Sequence, residues 1–232
     1  MKAEFFQMAF QELMKGVHTS VPGHILTFDP ALQRAQVRIG IEVVYTNGTT
    51  AQLPPIADVP VLFLGGTQFT MTHQVNPGDE GLIVFSQRCV DGWKQTGAVA
   101  NNPLSRFHDA HDAFFIPGFR PLPTRVEGFV NDGIRMQSRD GGRHVWIKAS
   151  GEIIADNGAA SVQITTGGDV KLQNGAGHIH LLADGTVNIN GALIKPDGTI
   201  HASNVTFGGV SGKDHRHTGV QSGSQISGGP TN

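Results

Sequence analysis

The sequence predicts an all-β chain built as a small closed barrel followed by a region of short, repeating strands. Three observations carry this expectation. Short apolar runs alternate with turn residues over 21–100. A period of 8 or 9 residues governs 145–189. The composition also changes near residue 125: residues 1–125 hold 11 of the 13 Phe, 10 of the 12 Pro and 11 of the 31 Gly, so two architectures meet there.

Residues 3–15 contain no Gly or Pro, and Phe6, Phe10, Leu13 and Val17 recur at spacings of four, three and four. That is one face of a helix, which Gly16 can end. The face suits packing on its own domain and docking on a neighbouring protein equally well.

The expected strands of the first half are His24–Phe28, Ala35–Val44, Val59–Leu64, Phe69–His73 and Gly81–Phe85, with turns at Asp29-Pro30, Asn47-Gly48, Gly65-Gly66 and Asn76–Asp79. Five or six strands in about 80 residues fit an OB-fold barrel, with a sandwich as the alternative. Prolines in 116–124 cannot join a sheet ladder and mark a linker.

In the second half, Val145, Ile153, Val162, Val170, Ile179 and Val187 begin successive strands at intervals of 8, 9, 8, 9 and 8. Ile147, Ala155, Ile164, Leu172, Leu181 and Ile189 follow two positions later, on the same strand face. Turn residues separate the pairs, as in a solenoid. Two or three inward side chains per strand make a thin core for one winding chain. Three intertwined copies sharing one core, a trimeric β-helix, fit the repeat better than the solitary solenoid that the pattern also admits.

Composition excludes several functions. With 17 basic and 19 acidic residues the net charge is −2, which speaks against a nucleic-acid partner. The single cysteine, Cys89, excludes an internal disulfide framework and is expected to be a buried thiol. No apolar run approaches the roughly 18 residues of a membrane span. Glu4, Gln7, Gln11 and Glu12 interrupt the first apolar stretch, which is wrong for a signal peptide. The chain is expected to be soluble and made in a reducing compartment. Neither Gly-x-Ser-x-Gly nor a phosphate loop occurs, and no carboxylate pair stands in a glycosidase context, so no catalytic residue and no enzyme activity are expected.

Three histidine groups remain. His108-Asp-Ala-His-Asp112 lacks the helical spacing of a metalloprotease and is expected to brace the barrel. His178-x-His180 alternates with Ile179 and Leu181, so both rings are expected to face water. His215-x-His217 is the candidate metal site: an extended strand sends both imidazoles to one face. Taken alone, such a pair is more often a solvated turn. Residues 218–232 after it carry no charge, which favours entry into lipid.

Several separated blocks carry a resemblance. They are Val21–Val37, beginning Val-Pro-Gly-His-Ile-Leu; Leu53–Val61; Pro77–Trp93, beginning Pro-Gly-Asp-Glu-Gly-Leu-Ile-Val-Phe; Arg106–Gly118; and His215–Pro230. Together they resemble the central baseplate spike, or membrane-piercing spike, family of contractile-tailed bacteriophages. Ser222 and Ser224 stand where relatives often carry proline. The resemblance implies a homotrimer with an OB-fold collar, a β-helical shaft and a metal-capped tip. On that reading residues 1–20 are a docking helix, 21–124 the collar, 125–208 the intertwined β-helix and 209–232 the apex. His215 and His217 of three copies would then offer six nitrogens to one iron ion per trimer, since an octahedral set favours iron over tetrahedral zinc. The implied partners are the tail hub of the baseplate and the host outer membrane. The implied location is the virion, after synthesis in the host cytoplasm. The expected function is mechanical piercing during tail contraction. The competing readings are a tail-associated cell-wall hydrolase, for which no catalytic domain fits within 125–232, and a receptor-binding fibre, for which the last 25 residues offer no aromatic.

Overall fold

The computed structural model describes residues 2–101, 104–216, 218, 219 and 223. The chain divides into two units, Met1–Arg125 and Val126–Asn232.

The first unit opens with helix α1, Lys2–Lys15. Its Phe5, Phe6, Met8, Phe10 and Leu13 are 63–74% exposed, so packing on its own domain is not what this helix does. Five strands follow: β1 Ser20–Asp29, β2 Arg34–Ile39, β3 Ile56–Pro60, β4 Glu80–Phe85 and β5 Ala113–Pro117. They form one sheet in the order β3-β2-β1-β4-β5. Its two end strands meet: Val61, just past β3, forms a parallel bridge with Phe115 of β5, and the Leu62 amide donates to the Phe115 carbonyl at 2.9 Å. Alternate residues fill the enclosed core, with Ile25, Val37, Val59, Ile83 and Phe115 at 0–1% exposure.

Three sequence expectations change here. The fifth strand is Ala113–Pro117, which is not among the expected strands and takes Ile116 and Pro117 of the expected linker into the sheet, at its end where Pro117 pairs with Gly81. The expected strand Phe69–His73 shrinks to the exposed two-residue rung Thr70–Met71, paired with Leu64–Gly65 outside the barrel sheet. The expected strand Ala35–Val44 likewise stops at Ile39. A second ribbon, Val43–Val44 with Thr50–Ala51, is closed by Asn47-Gly48.

The core is set by a pair of glycines facing each other across β1 and β4, Gly23 and Gly81. A Cβ on Gly81 would lie 2.4 Å from the Ile116 carbonyl oxygen and 2.5 Å from Phe115 Cζ. One on Gly23 would lie 2.5 Å from Ile83 Cδ1. The missing side chains are the space that Phe115 and Ile83 fill. Backbone oxygen cannot step aside as a flexible side chain can, so Gly81→Ala is expected to lower barrel stability by about 3 kcal/mol. Gly81→Val is expected to leave it unfolded. A denaturation midpoint unchanged in Gly81→Ala would contradict this account.

The second unit is a nine-stranded sheet in sequence order. Its strands are β6 Ile134–Gln137, β7 His144–Ile147, β8 Ile153–Asp156, β9 Ala160–Ile164, β10 Val170–Asn174, β11 Gly177–Leu181, β12 Val187–Ile189, β13 Ala192–Ile194 and β14 Ile200–His201. Each pairs antiparallel with the next. The repeat expected from sequence is therefore present as strands, but its path within one chain is a meander of hairpins and not the coil of a solitary solenoid.

The register explains the alternation of 8 and 9. At one edge the hairpins close identically: the amides of Lys148, Thr165, Leu182 and Lys195 each donate to the carbonyl four residues on. Gly151, Gly168, Gly185 and Gly198 hold the left-handed position there, with φ of 84–93°. These turns give the intervals of 8. The turns at the opposite edge, through Asn157-Gly158 and Gly175-Ala176, give the intervals of 9.

The pairing also sorts the side chains. Ile134, Ile147, Ile153, Ile164, Val170, Leu181, Val187, Ile194 and Ile200 are successive cross-strand partners. Met136, Val145, Ala155, Val162, Leu172, Ile179, Ile189 and Ala192 form a second such column. The columns lie two residues apart, on one face of the sheet. The other face carries Arg135, Trp146, Gln163, Lys171, His180 and Asn188. Arg135 and Lys148 stack over the Trp146 ring there, at 5.1 and 4.8 Å.

Among the described residues no apolar side chain of 126–232 is buried. Ten of the column residues from Val145 to Ile194 keep 36–48% of their surface exposed. The patch is on the order of 1,000 Å², beyond the roughly 300–600 Å² of the largest patch on an ordinary monomer.

Candidate functional site

The segment leading to His215 is held by a short hairpin, β15 Thr206–Phe207 and β16 Val210–Ser211. The Asn204 side chain bonds Ser211 Oγ and accepts from the Lys213 amide at 3.2 Å. Ser211 Oγ in turn accepts from the Asp214 amide at 3.0 Å. This brings His215 Nδ1 to 2.9 Å from the Gly212 carbonyl oxygen. A carbonyl only accepts, so the proton of the neutral ring sits on Nδ1 and the lone pair on Nε2. A histidine that ligates a metal is commonly oriented in this way, through its other ring nitrogen. In that tautomer Nε2 is the ring atom that could ligate an ion. His217, the second expected ligand, lies outside the described residues, as do most residues of the apex beyond it.

The other histidines go elsewhere. His180 lies opposite the apolar columns, with Nε2 3.0 Å from Asp169 Oδ2. That bond, with the Ala183 amide at 2.9 Å, holds the Asp169 carboxyl below the usual range. His178 is exposed. His18 and His108 exchange bonds: the Nδ1 of each lies about 3 Å from the other's carbonyl oxygen, and the His18 amide donates to His108. This ties the segment after α1 to the loop that precedes β5.

The one group of metal-ligand type among the described residues is Cys89, Asp91 and Asp112, with ligand atoms within 4.8 Å of one another. It already holds a cation. Arg106 donates from Nε and NH2 to Asp112 at 3.0 and 2.8 Å, from NH2 to Asp91 Oδ2 at 2.9 Å, and to Cys89 Sγ at 3.3 Å. Sequence reasoning missed this clamp, because Arg106 and its partners Cys89 and Asp91 are 17 and 15 residues apart. Cys89 itself is half-buried and not fully enclosed.

Residues 21–118 match the family model of the phage protein Gp138 N-terminal domain. The match covers the five-stranded barrel and the clamp, and it supports a phage structural protein carried in the virion. No curated protein matches the chain. Among the described residues no helix is long and apolar enough to cross a membrane.

Asp112 is wholly buried. Burial pushes its carboxyl up, but the bonds from Arg106 and from the Val90 amide outweigh that, and it settles below the usual range. A depressed carboxyl stabilises the fold fully above its unfolded pKa, and the contribution is lost as pH falls through the folded value. Asp112→Asn is expected to cost the barrel about 3 kcal/mol at neutral pH, because Arg106 loses its buried counter-charge. The variant should also lose part of the acid sensitivity. Equal losses between about pH 7 and pH 3 in both proteins, by chemical denaturation, would contradict this assignment.

Proposed function

We propose that the chain is the trimeric central spike at the tip of a phage-like contractile tail, which pierces the host outer membrane mechanically. The observation that carries the reading is the unbroken pair of apolar columns on one face of the nine-stranded sheet. Three copies turning these faces inward around a three-fold axis would share the core that each lacks. Within 134–201 each strand already pairs with its neighbours in its own chain. The three sheets would therefore meet as three walls, and any intertwining falls outside that stretch. A shaft so built is rigid and narrow, as force transmission requires.

The barrel is read as an OB-fold collar, supported by the order β3-β2-β1-β4-β5 and the parallel contact between its end strands. Docking on the tail hub is assigned to this collar. Its two projecting ribbons expose Val44, Tyr45, Leu64 and Phe69. At the apex, His215 and His217 of three chains would hold one iron ion, tying together ends that would otherwise fray. No catalytic step is needed for piercing, and the reading is not an enzyme.

The test is native mass combined with elemental analysis of the purified protein. A homotrimer with one iron is expected. A monomer of 24.7 kDa at micromolar concentration would overturn the reading, because the sheet's apolar face would then be uncovered.

A further inference from the structure

We propose that the α1 helices of three copies pack on one another as a short parallel bundle above the collar; this rests on the trimeric reading. The helix stripe Ala3, Phe6, Phe10 and Leu13 has spacings of three, four and three, the a/d pattern of helices that associate with one another. Phe6, Phe10 and Leu13 are exposed at 63–74%. Ala9 and Met14 flank the stripe and widen it, which suits more than two helices.

The charges stand clear of the seam. Glu4, Glu12 and Lys15 fall on the outer side in this heptad, where Lys15 bonds Glu12 at 2.5 Å and both remain solvated. No charged pair between Ala3 and Leu13 would be forced together by closing the seam. A Phe offers roughly 150–200 Å² of contact area. Two Phe and one Leu from each of three chains therefore bury on the order of 1,300 Å², at the low end of a standard stable interface.

A helix of 14 residues is too short to be stable alone. Three of them held close by a common shaft meet at an effective concentration near millimolar, which removes that limit. The bonds between His18 and His108 fix each helix base on its barrel, so the stem adds little slack.

The experiment uses the full chain with Cys89→Ser and a single new thiol, treated with a short bismaleimide after native mass has been measured. With Leu13→Cys, on the seam, about two-thirds of the chains should appear as covalent dimers, since one thiol of three is left over. With Glu12→Cys, on the outer side, the yield should be several-fold lower. Phe10→Cys repeats the seam result one turn away. A native trimer whose seam thiols link no better than Glu12→Cys would overturn the bundle and leave the trimer standing, with the helices given to the tail hub instead. A monomeric chain would overturn both.

Discussion

Ile189→Asp is expected to abolish trimer formation, whereas Asn188→Asp, one residue earlier, leaves the native mass unchanged. The two positions differ in face and in little else. Ile189 pairs with Ile179 and Ala192 in an apolar column. Asn188 pairs with His180 and Leu193 on the opposite face, where its Oδ1 accepts the Gly191 amide at 2.8 Å. An aspartate at 188 keeps that acceptor and faces water. An aspartate at 189 forfeits roughly 2–3 kcal/mol of burial in each chain. It also brings three carboxylates to one level of a dry core. Each costs several kcal/mol to desolvate, and they repel one another. The sum exceeds the roughly 5–15 kcal/mol by which folded proteins are normally stable. Native mass and limited proteolysis read the outcome. A protease-resistant trimer in Ile189→Asp would mean that the columns are not the shared core.

The strands of this sheet were legible because alternation is local. Val145 with Ile147 and Val170 with Leu172 declare their face in three residues. Their connection was not legible, since a coil and a meander both place residues i and i+2 together. The distinguishing sign is subtle: Val145 and Val162 begin strands in one column, while Ile153 and Val170 begin strands in the other. A solenoid would align all four. The two kinds of turn that produce this, one through Gly151 and Gly168 and the other through Asn157 and Gly175, were already present in the alternating intervals. The strand Ala113–Pro117 was hidden for another reason. Its Phe114 and Phe115 follow a run of mostly polar residues, and only the antiparallel ladder with Glu80–Phe85 and the parallel contact with Val61, both far away in sequence, give the segment its place. The clamp of Arg106 was hidden likewise. Near the chain's last histidines the sequence showed both imidazoles, but the bond between His215 Nδ1 and Gly212 depends on a hairpin turned by Gly208-Gly209, whose flanking strands of two residues are too short to read as strands.

Replacing both His215 and His217 by Ala is expected to remove all bound metal while leaving the trimer intact. The two effects separate because they rest on different parts of the chain. The proposed metal set would draw on His215, oriented through Gly212 after the β15–β16 hairpin, and on His217. The proposed shared core would draw on side chains from Ile134 to Ile200. His215→Ala alone leaves three imidazoles from three chains, a set that suits a tetrahedral ion with one open position better than an octahedral one. The single variant should therefore bind iron more weakly and shift its preference towards zinc. Coordination needs imidazole lone pairs, so protons compete for the ligands and acid should strip the wild-type tip. Loss of the cross-link should expose the chain beyond about residue 210 to proteases, since termini fray unless tied down. Penetration should fall more than thermal stability does, as a frayed point spreads the force that a fixed one concentrates. Elemental analysis of purified trimers decides between the outcomes: a wild-type trimer without iron, or equal iron in the double alanine variant, would remove the metal from these two residues.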